Sequence, residues 1–258
     1  MIHKQVDTVL ENWKEQSIKD GYSKFCWDGL MYKGEIKTGK STDGNIFYYR
    51  SSGNEEEMWI NAPIKVLFLN KDVPFNPDQD IREWIFRQHP TDITTFHYKN
   101  IALWLYGLLN IDNNGYAPRF EEVNDTLLYS SFLDKTPFAY VNCKKESGGN
   151  TIENHILEEY IDKYKDFLIK QILILEPDII VCGGGGSIIK NFVIKNVYNK
   201  AIAINNWMFY DEVANKLIVD SYHPSYYGKT QEYVYSTMMD NYEEYLRIYP
   251  KNVMTYRN

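Results

Sequence analysis

The sequence predicts an α/β protein, in which a central four-stranded parallel sheet is covered by helices on both faces as a three-layer α/β/α sandwich. Two observations lead to this prediction. Four short apolar segments have the composition of buried strands, and a polar loop follows each of them. Long helical patterns after these segments can cross the sheet and return the chain in parallel. The absence of repeats and low-complexity linkers predicts a single domain over 1–258, with 1–60 as a helical and loop extension packed on it.

The first half of the chain is predicted to contribute one sheet strand, two longer helices and a short helix that Pro90 ends. Apolar residues at helical spacing in 1–20 predict a helix that ends near Gly21. A hairpin is predicted around Ile46–Arg50. The apolar run Ile64–Leu69 then predicts a central strand that ends in a polar, proline-containing loop, and the apolar spacing in 95–110 predicts a helix.

The second half contributes the other three strands of the sheet, and each is again followed by polar residues. The predicted strands are 138–142, 179–182 and 217–220. Asn150 and Glu153 make a capping-box-like start for a long amphipathic helix that Pro177 closes. A last helix is predicted from about Gln231, with Val234 and Met238 on its apolar face.

Composition excludes several classes of protein. There are 28 basic and 35 acidic residues among 258, a net charge of −7, which argues against a protein that coats nucleic acid nonspecifically because such binding depends on phosphate neutralisation. A local basic patch remains compatible with this balance. Three scattered cysteines without CxxC pairing indicate neither a disulfide framework nor a zinc or iron–sulfur site. The polar N-terminus and the lack of a membrane-length apolar stretch predict a cytoplasmic protein.

Three polar residues stand at the ends of predicted parallel strands. Asp72 follows the first strand, Asn142 ends the second, and His223 follows the last. The carboxyl ends of parallel strands face a common ligand crevice, so these side chains are expected to converge. With Ser225 they offer a carboxylate, an amide that both donates and accepts, and an imidazole that can donate to a developing anion. This set suits cleavage of a bond between a sugar and a hydrogen-bonding heterocycle.

A second candidate is the four-glycine loop Gly183–Gly186, because glycine-rich turns before helices can cradle phosphates. The loop lacks the third glycine of a dinucleotide fingerprint, where Ile188 stands, and it lacks the Gly-Lys-Ser/Thr ending of a nucleotide-binding P-loop. Two explanations therefore remain open: a weaker phosphate contact by backbone amides, and a tight turn that lets helix and sheet approach.

Asp72, Asn142 and the His223-Pro224-Ser225 segment, in this order and at these strand ends, resemble the motifs of the uracil-DNA glycosylase superfamily. The resemblance covers roughly residues 60 to 230. It implies a uracil-DNA glycosylase-like fold in which Asp72 activates water and supports the sugar cation, Asn142 recognises the flipped base, and His223 stabilises the departing base. Phe75 resembles an aromatic residue that shapes the pocket floor. Tyr226 and Tyr227 fall where the family places a side chain that wedges into the duplex.

The chain also departs from the family's pattern. Asn70 stands where the family usually has glycine, Val73 intervenes before Pro74, and tyrosine replaces an aliphatic residue at the wedge position. The four cysteines of the iron–sulfur branches are missing. These departures leave the identity of the excised base open.

The expected partner is DNA, single- or double-stranded, and no metal or cofactor is required by the chemistry. Phosphate contacts are predicted for a group of polar residues with the amides of Gly148 and Gly149: Lys144, Lys145, Ser147, Ser225 and Lys229. Excision of uracil or a modified pyrimidine is the first hypothesis, and the superfamily's phage-restricting members suggest glucosylated hydroxymethylcytosine as a variant. A catalytically silent nucleic-acid-binding or nucleotide-sensing module, and a nucleoside hydrolase using the glycine loop, are the alternatives. The oligomeric state is not predicted.

Overall fold

The structure is a computed structural model that describes residues 1–40, 44, 46–73, 79–84, 93, 95–147 and 152–252. The strands within these residues are β1 Cys26–Trp27, β2 Gly29–Leu30, β3 Ile36–Lys40, β4 Ile46–Arg50, β5 Val66–Val73, β6 Gln79–Asp80, β7 Ala139–Ser147, β8 Ile179–Gly183, β9 Ile202–Ala203, β10 Met208–Asp211 and β11 Lys216–Ser221. The α-helices are α1 Ile2–Lys19, α2 Glu55–Asn61, α3 Phe96–Leu109, α4 Phe120–Val123, α5 Thr126–Lys135, α6 Asn154–Leu175, α7 Ile188–Asn196 and α8 Gln231–Ile248. Two 3₁₀ turns occupy Ile81–Glu83 and Pro250–Asn252.

The main sheet is mixed and has seven strands in the order β2-β7-β5-β8-β11-β10-β9. The neighbours β7, β5, β8 and β11 pair in parallel, whereas β2, β10 and β9 are attached to them by antiparallel pairing. The α/β class is confirmed, but the sheet is larger than the predicted four strands. The additional strands are two to four residues long, which is too short for a clear alternation of apolar and polar residues.

Apolar side chains cover both faces of the sheet. Val66 and Phe68 pack in the cluster that includes residues of α3, α5 and α8, and Leu67 and Leu69 pack in the cluster formed with α1, α6 and α7. All four side chains are fully buried. Because the first half of β5 is covered on both faces, its sequence from Val66 to Leu69 is a continuous apolar run instead of an alternating pattern.

The predicted long helices are confirmed, with bounds within a few residues of those expected. α1 ends at Lys19, and α6 ends before Glu176, which takes a left-handed conformation ahead of Pro177. Glu153 precedes the first turn of α6, while Asn150 lies outside the described residues. The hairpin is confirmed as the antiparallel pair β3 and β4. Among the helices of the described chain, none has the length and apolar character needed to cross a membrane.

Two strands run further than predicted. β5 continues to Val73 and β7 continues to Ser147, so Asp72 lies inside a strand and not in the loop after it. The pairing of β5 with β7 becomes irregular between Asp72 and Val73. The polar residues at the ends of these strands are therefore held by sheet hydrogen bonds, which fixes their positions more firmly than a loop would.

Candidate functional site

Four residues lie side by side across the carboxyl ends of the parallel strands. The sheet register pairs Asn142 with Asn70, Asn70 with Gly183, and Gly183 with Ser221. Paired residues of parallel strands point to the same face of the sheet. Asn70 is 0%, Asn142 1% and Ser221 7% exposed. We call Asn142, Asn70, Gly183 and Ser221 the polar row. It lies next to the apolar interior formed by Phe68, Val181 and their neighbours.

The polar row contains unpaired hydrogen-bonding atoms. Both polar atoms of the Asn70 amide, Oδ1 of Asn142 and Oγ of Ser221 are buried and have no hydrogen-bond partner in the described part of the chain. Buried polar atoms are nearly always paired, and leaving one unpaired costs about 1–3 kcal/mol. Such a concentration at one edge of the sheet indicates a place where a polar ligand or ordered water supplies the missing partners.

Asp72 lies one pleat beyond this row, where the register pairs it with Lys144. Its Oδ2 is buried and without a hydrogen-bond partner among the described residues. Burial raises the pKa of Asp72 above its ordinary value, and the charges of Lys144 and Lys71 act in the opposite direction. A poorly solvated carboxylate of this kind attracts a positive charge or a water proton more strongly than a solvated one would.

His223 completes the predicted set, and the loop after β11 fixes its tautomer. The backbone N–H of Ser225 donates to Nδ1 of His223 at 3.1 Å, so the proton of the neutral ring is assigned to Nε2. Burial, assisted by the charge of Lys71, lowers the pKa of His223 to about 4. At neutral pH the side chain is therefore an uncharged imidazole that offers Nε2–H as a donor.

The glycine loop lies close to His223, Lys71 and Asn70. A Cβ on Gly184, whose φ is +81°, would lie 2.9 Å from Cβ of His223 and 3.0 Å from Cε of Lys71. Gly183 faces the Asn70 amide in the same way. Glycine is needed at both positions because neighbouring segments approach the backbone closely. This favours the interpretation of the loop as a tight turn. A phosphate contact by its amides stays a prediction.

Sequence reasoning missed His97, which lies in the first turn of α3. Nδ1 of His97 is 2.8 Å from Oγ of Ser225, Nε2 is 3.0 Å from the Tyr140 hydroxyl, and the rings of His97 and His223 are 5.5 Å apart. His97 thus supports the Ser225 segment that orients His223. Its position next to Phe96 and Tyr98, at the start of an apolar helix, gave no sequence signal that distinguishes it from a residue of the core.

Both histidines should make the fold sensitive to acid. Burial lowers the pKa of His97 to about 3, with a further contribution from His223, whereas an unfolded histidine titrates near 6.5. Between these values the unfolded chain binds protons that the folded chain does not, so stability is complete above about pH 6.5 and falls as the pH approaches 4. We expect the melting temperature to fall over this range, and less steeply in His97→Phe. An equal pH dependence in both proteins would contradict this.

The prediction that Lys145 binds DNA is wrong. Lys145 and Asp28 are both 0% exposed, and Nζ of Lys145 lies 2.5 and 2.7 Å from the two carboxylate oxygens of Asp28. Gln171 contacts both partners, and Asp28 accepts the backbone N–H of Asn142 at 2.8 Å. Lys145 therefore lies inside the protein, in a network that holds the strand carrying Asn142.

Removing one partner of this network should destabilise the protein strongly. Lys145→Met leaves the Asp28 carboxylate buried without its counter-ion, which should lower the free energy of unfolding by about 3 kcal/mol. Urea unfolding would measure this, with Lys165→Met, in the exposed pair with Asp162, as the control that changes little. Adding Asp28→Asn to Lys145→Met should recover part of the loss. A Lys145→Met protein as stable as the wild type would contradict the importance of the pair.

The remaining predicted residues have mixed outcomes. Lys144 is 7% exposed and its Nζ donates to the backbone oxygen of Glu146, so it is a buried neighbour of Asp72 and not a surface cation. The Ser225 hydroxyl lies 2.8 Å from Nδ1 of His97, and its predicted contact with phosphate stays a prediction. Phe75, with Pro74, and the amides of Gly148 and Gly149 lie outside the described residues, as does the side chain of Ser147.

The segment after His223 is exposed and aromatic. The ring of Tyr226 stacks on that of Tyr222, with centroids 4.7 Å apart, whereas Tyr227 is 92% exposed. Nζ of Lys229 lies 4.9 Å from the centre of the Tyr233 ring, which is 45% exposed. Tyr227 and Lys229 are therefore placed for contact with a partner, and their predicted contact with DNA remains a prediction.

Comparisons with known proteins identify no family for this chain. The sequence matches no protein-family model, and a search of curated proteins finds no significant match.

Proposed function

We propose that the protein is a DNA glycosylase with a uracil-DNA glycosylase-like fold, which hydrolyses the N-glycosidic bond of a flipped-out uracil or modified pyrimidine. The observation that supports this most is a combination of three features at one sheet edge: buried amide atoms of Asn70 and Asn142 without a partner among the described residues, a desolvated Asp72, and a neutral His223. The four adjacent parallel strands, with helices on both faces, are compatible with such a fold. The reaction leaves an abasic site in the DNA.

The amide of Asn142 is suited to recognition of the base. Its Oδ1 is buried and lacks a partner within the described structure, and its strand is held by the Asp28 contact to the Asn142 N–H. An amide both donates and accepts, so it can bind two neighbouring groups on the edge of a pyrimidine. A base inside a duplex cannot reach this position, so it has to be flipped out of the stack at a cost of a few kcal/mol.

In the proposed reaction Asp72 acts on the water and the sugar, and His223 acts on the departing base. A water oxygen attacks C1′ as the bond from C1′ to N1 breaks, and the bonding electrons leave with the base. Asp72 takes up the water proton and stabilises the positive charge on the sugar, as carboxylates do in other glycosidases. The Nε2–H of His223 donates a hydrogen bond to the base as negative charge accumulates, and one preorganised donor of this kind is worth roughly 3 to 4 kcal/mol.

The DNA backbone is proposed to contact the exposed segment after His223. Tyr227 offers a fully accessible aromatic ring next to the site, and Lys229 offers a cation. Base–aromatic stacking and phosphate contacts are the two interactions that such residues provide. A contact confined to this segment is compatible with the net charge of −7.

A panel of oligonucleotides tests the proposal. Each carries one uracil, one modified pyrimidine or one glucosylated hydroxymethylcytosine, and abasic sites are detected by strand cleavage in alkali after incubation with a metal chelator. Abasic sites in one member, with release of the free base, support the function and identify the substrate variant. Binding without base release would favour a silent nucleic-acid-binding module, and activity on free nucleosides alone would favour a nucleoside hydrolase.

A further inference from the structure

We propose that Asn100 of α3 is a positioning residue for His223, because its one side-chain amide holds both ends of the loop that follows His223. This inference rests on the proposed function and adds a residue to the same site. Asn100 contacts Pro224 at the start of the loop and Gln231 at its end. We call residues 224–231 the site loop.

Asn100 is an exception among the buried residues of α3. It is 1% exposed, and the residues that follow it, Ile101 and Ala102, belong to the apolar core. A buried amide is retained where its hydrogen bonds are made, because leaving its polar atoms unpaired is unfavourable. Both ends of the Asn100 amide are paired. The presence of asparagine here is therefore explained by what the amide holds and not by the packing of the helix.

The two contacts determine the orientation of the Asn100 amide. Nδ2 of Asn100 donates to the backbone oxygen of Pro224 at 2.7 Å, and a carbonyl oxygen can only accept. The amide nitrogen is therefore assigned to the side of Pro224. Consequently Oδ1 of Asn100 is the acceptor for Nε2 of Gln231, at 3.0 Å. One buried amide thus attaches both ends of the site loop to the same point of α3.

A second residue of α3 holds the same loop. His97 lies one helical turn before Asn100, on the same side of the helix. Nδ1 of His97 is 2.8 Å from Oγ of Ser225, and the backbone N–H of Ser225 donates to Nδ1 of His223. His97 and Asn100 therefore hold two consecutive residues, Ser225 and Pro224, directly after His223.

These contacts determine the position of the His223 ring. Its Nε2–H can donate to a departing base only if the ring keeps its place, and a displacement of about 1 Å can cost on the order of a hundredfold in rate. Without Asn100, the Pro224 oxygen would lose its donor and the site loop would take up positions in which water reaches the ring. Tyr227 and Lys229 lie within this loop, so a partner that contacts them binds a segment held next to His223.

The titration of His223 tests the proposal without an assay of activity. His97 and Lys71 lie near the ring, and burial, assisted by the charge of Lys71, lowers the pKa of His223 to about 4. In Asn100→Ala, hydration of the ring should raise this pKa by at least about one unit toward 6.5. NMR of the protein with ¹⁵N-labelled histidine measures the pKa, and His223→Gln assigns the signal. An unchanged pKa would overturn the proposal.

Asn110→Ala is the matched control, because Asn110 follows the last residue of the same helix and also donates to a carbonyl oxygen, that of Tyr106. It should leave the pKa of His223 near 4. Gln231→Leu removes only the contact at the end of the site loop and should raise this pKa by less than Asn100→Ala does. No rise in Gln231→Leu would overturn the role of that contact. Asn100→Ser, with the same expected result, replaces the alanine variant if that protein does not fold.

Base release separates this proposal from the proposed function. At saturating oligonucleotide, the single-turnover rate of Asn100→Ala should fall at least about tenfold, and that of Asn110→Ala should not. A slower rate with an unchanged His223 titration would overturn the positioning role, because the loss would then arise elsewhere. If the wild-type protein releases no base from any oligonucleotide, the glycosylase function fails, and the titration alone decides whether Asn100 positions His223.

Discussion

Replacing Asp72 with asparagine should lower the rate of base release by about a thousandfold, because the variant loses both the acceptor of the water proton and the negative charge that supports the sugar cation. Asparagine keeps nearly the same volume, so binding of the oligonucleotide should change little. Single-turnover rates on the best substrate of the panel measure the effect, and fluorescence anisotropy measures binding. A variant with wild-type turnover would contradict the role of Asp72.

The same substitution should make the protein more stable. Because burial raises the pKa of Asp72 in the folded protein, the ionised carboxylate is less favourable there than in the unfolded chain. Its charge therefore reduces stability above the raised pKa, and the reduction disappears as the pH falls through that value. We expect Asp72→Asn to melt at a higher temperature than the wild type at pH 7.5 and at a similar temperature near pH 4.

Asp162→Asn is the control for this stability effect, since the Asp162 side chain is 80% exposed and not desolvated. It should show no rise in melting temperature at pH 7.5. A fall in the melting temperature of Asp72→Asn would mean that the carboxylate is stabilising, and the desolvated site described above would then be incorrect.

Replacing His223 with alanine should slow base release by roughly a hundred- to a thousandfold, because the N–H donor to the departing base is lost. His223→Gln keeps an N–H group on a side chain of similar reach and should retain more activity than the alanine variant. Single-turnover rates separate this loss from any change in DNA binding. His155→Gln is the matched control, because the His155 side chain is 64% exposed.

The pH dependence distinguishes donation by a neutral ring from proton transfer by a charged one. Since burial lowers the pKa of His223 to about 4, the ring stays neutral through the physiological range. The wild-type rate should therefore show no inflection near 6.5, where an ordinary histidine titrates, and should fall only at lower pH. An activity that requires protonation, rising as the pH falls from 7 to 5.5, would contradict this account.

The sequence was sufficient to predict the main strands and helices, because their signals are local. Burial on both faces gives the first half of β5 a continuous apolar run. Burial on one face gives α6 its helical spacing of apolar residues. The placement of Asp72, Asn142 and His223 at one edge of the sheet followed from the rule that parallel strands direct their carboxyl ends to a common side. In the structure the sheet register places Asp72 and Asn142 at this edge, and His223 lies against Gly184, directly after β8.

Other features depend on partners that are distant in the sequence. The sequence alone predicts that Lys145, next to Lys144, is a surface cation. Its partner Asp28 is 117 residues away, and only the folded chain brings the two together. The same holds for Asn70, whose amide is seated by a glycine on another strand. His97 belongs to an apolar helix, and its role is defined by Ser225 and Tyr140, which lie elsewhere in the chain.

The most direct test of the central claim is a crystal structure of Asp72→Asn bound to an oligonucleotide that carries the substrate identified by the panel. The account predicts that the target nucleotide is flipped out, with the edge of its base against Asn142, the sugar next to position 72 and the base within hydrogen-bonding distance of Nε2 of His223. A base that stays stacked in the DNA, or one that binds away from the polar row, would contradict it.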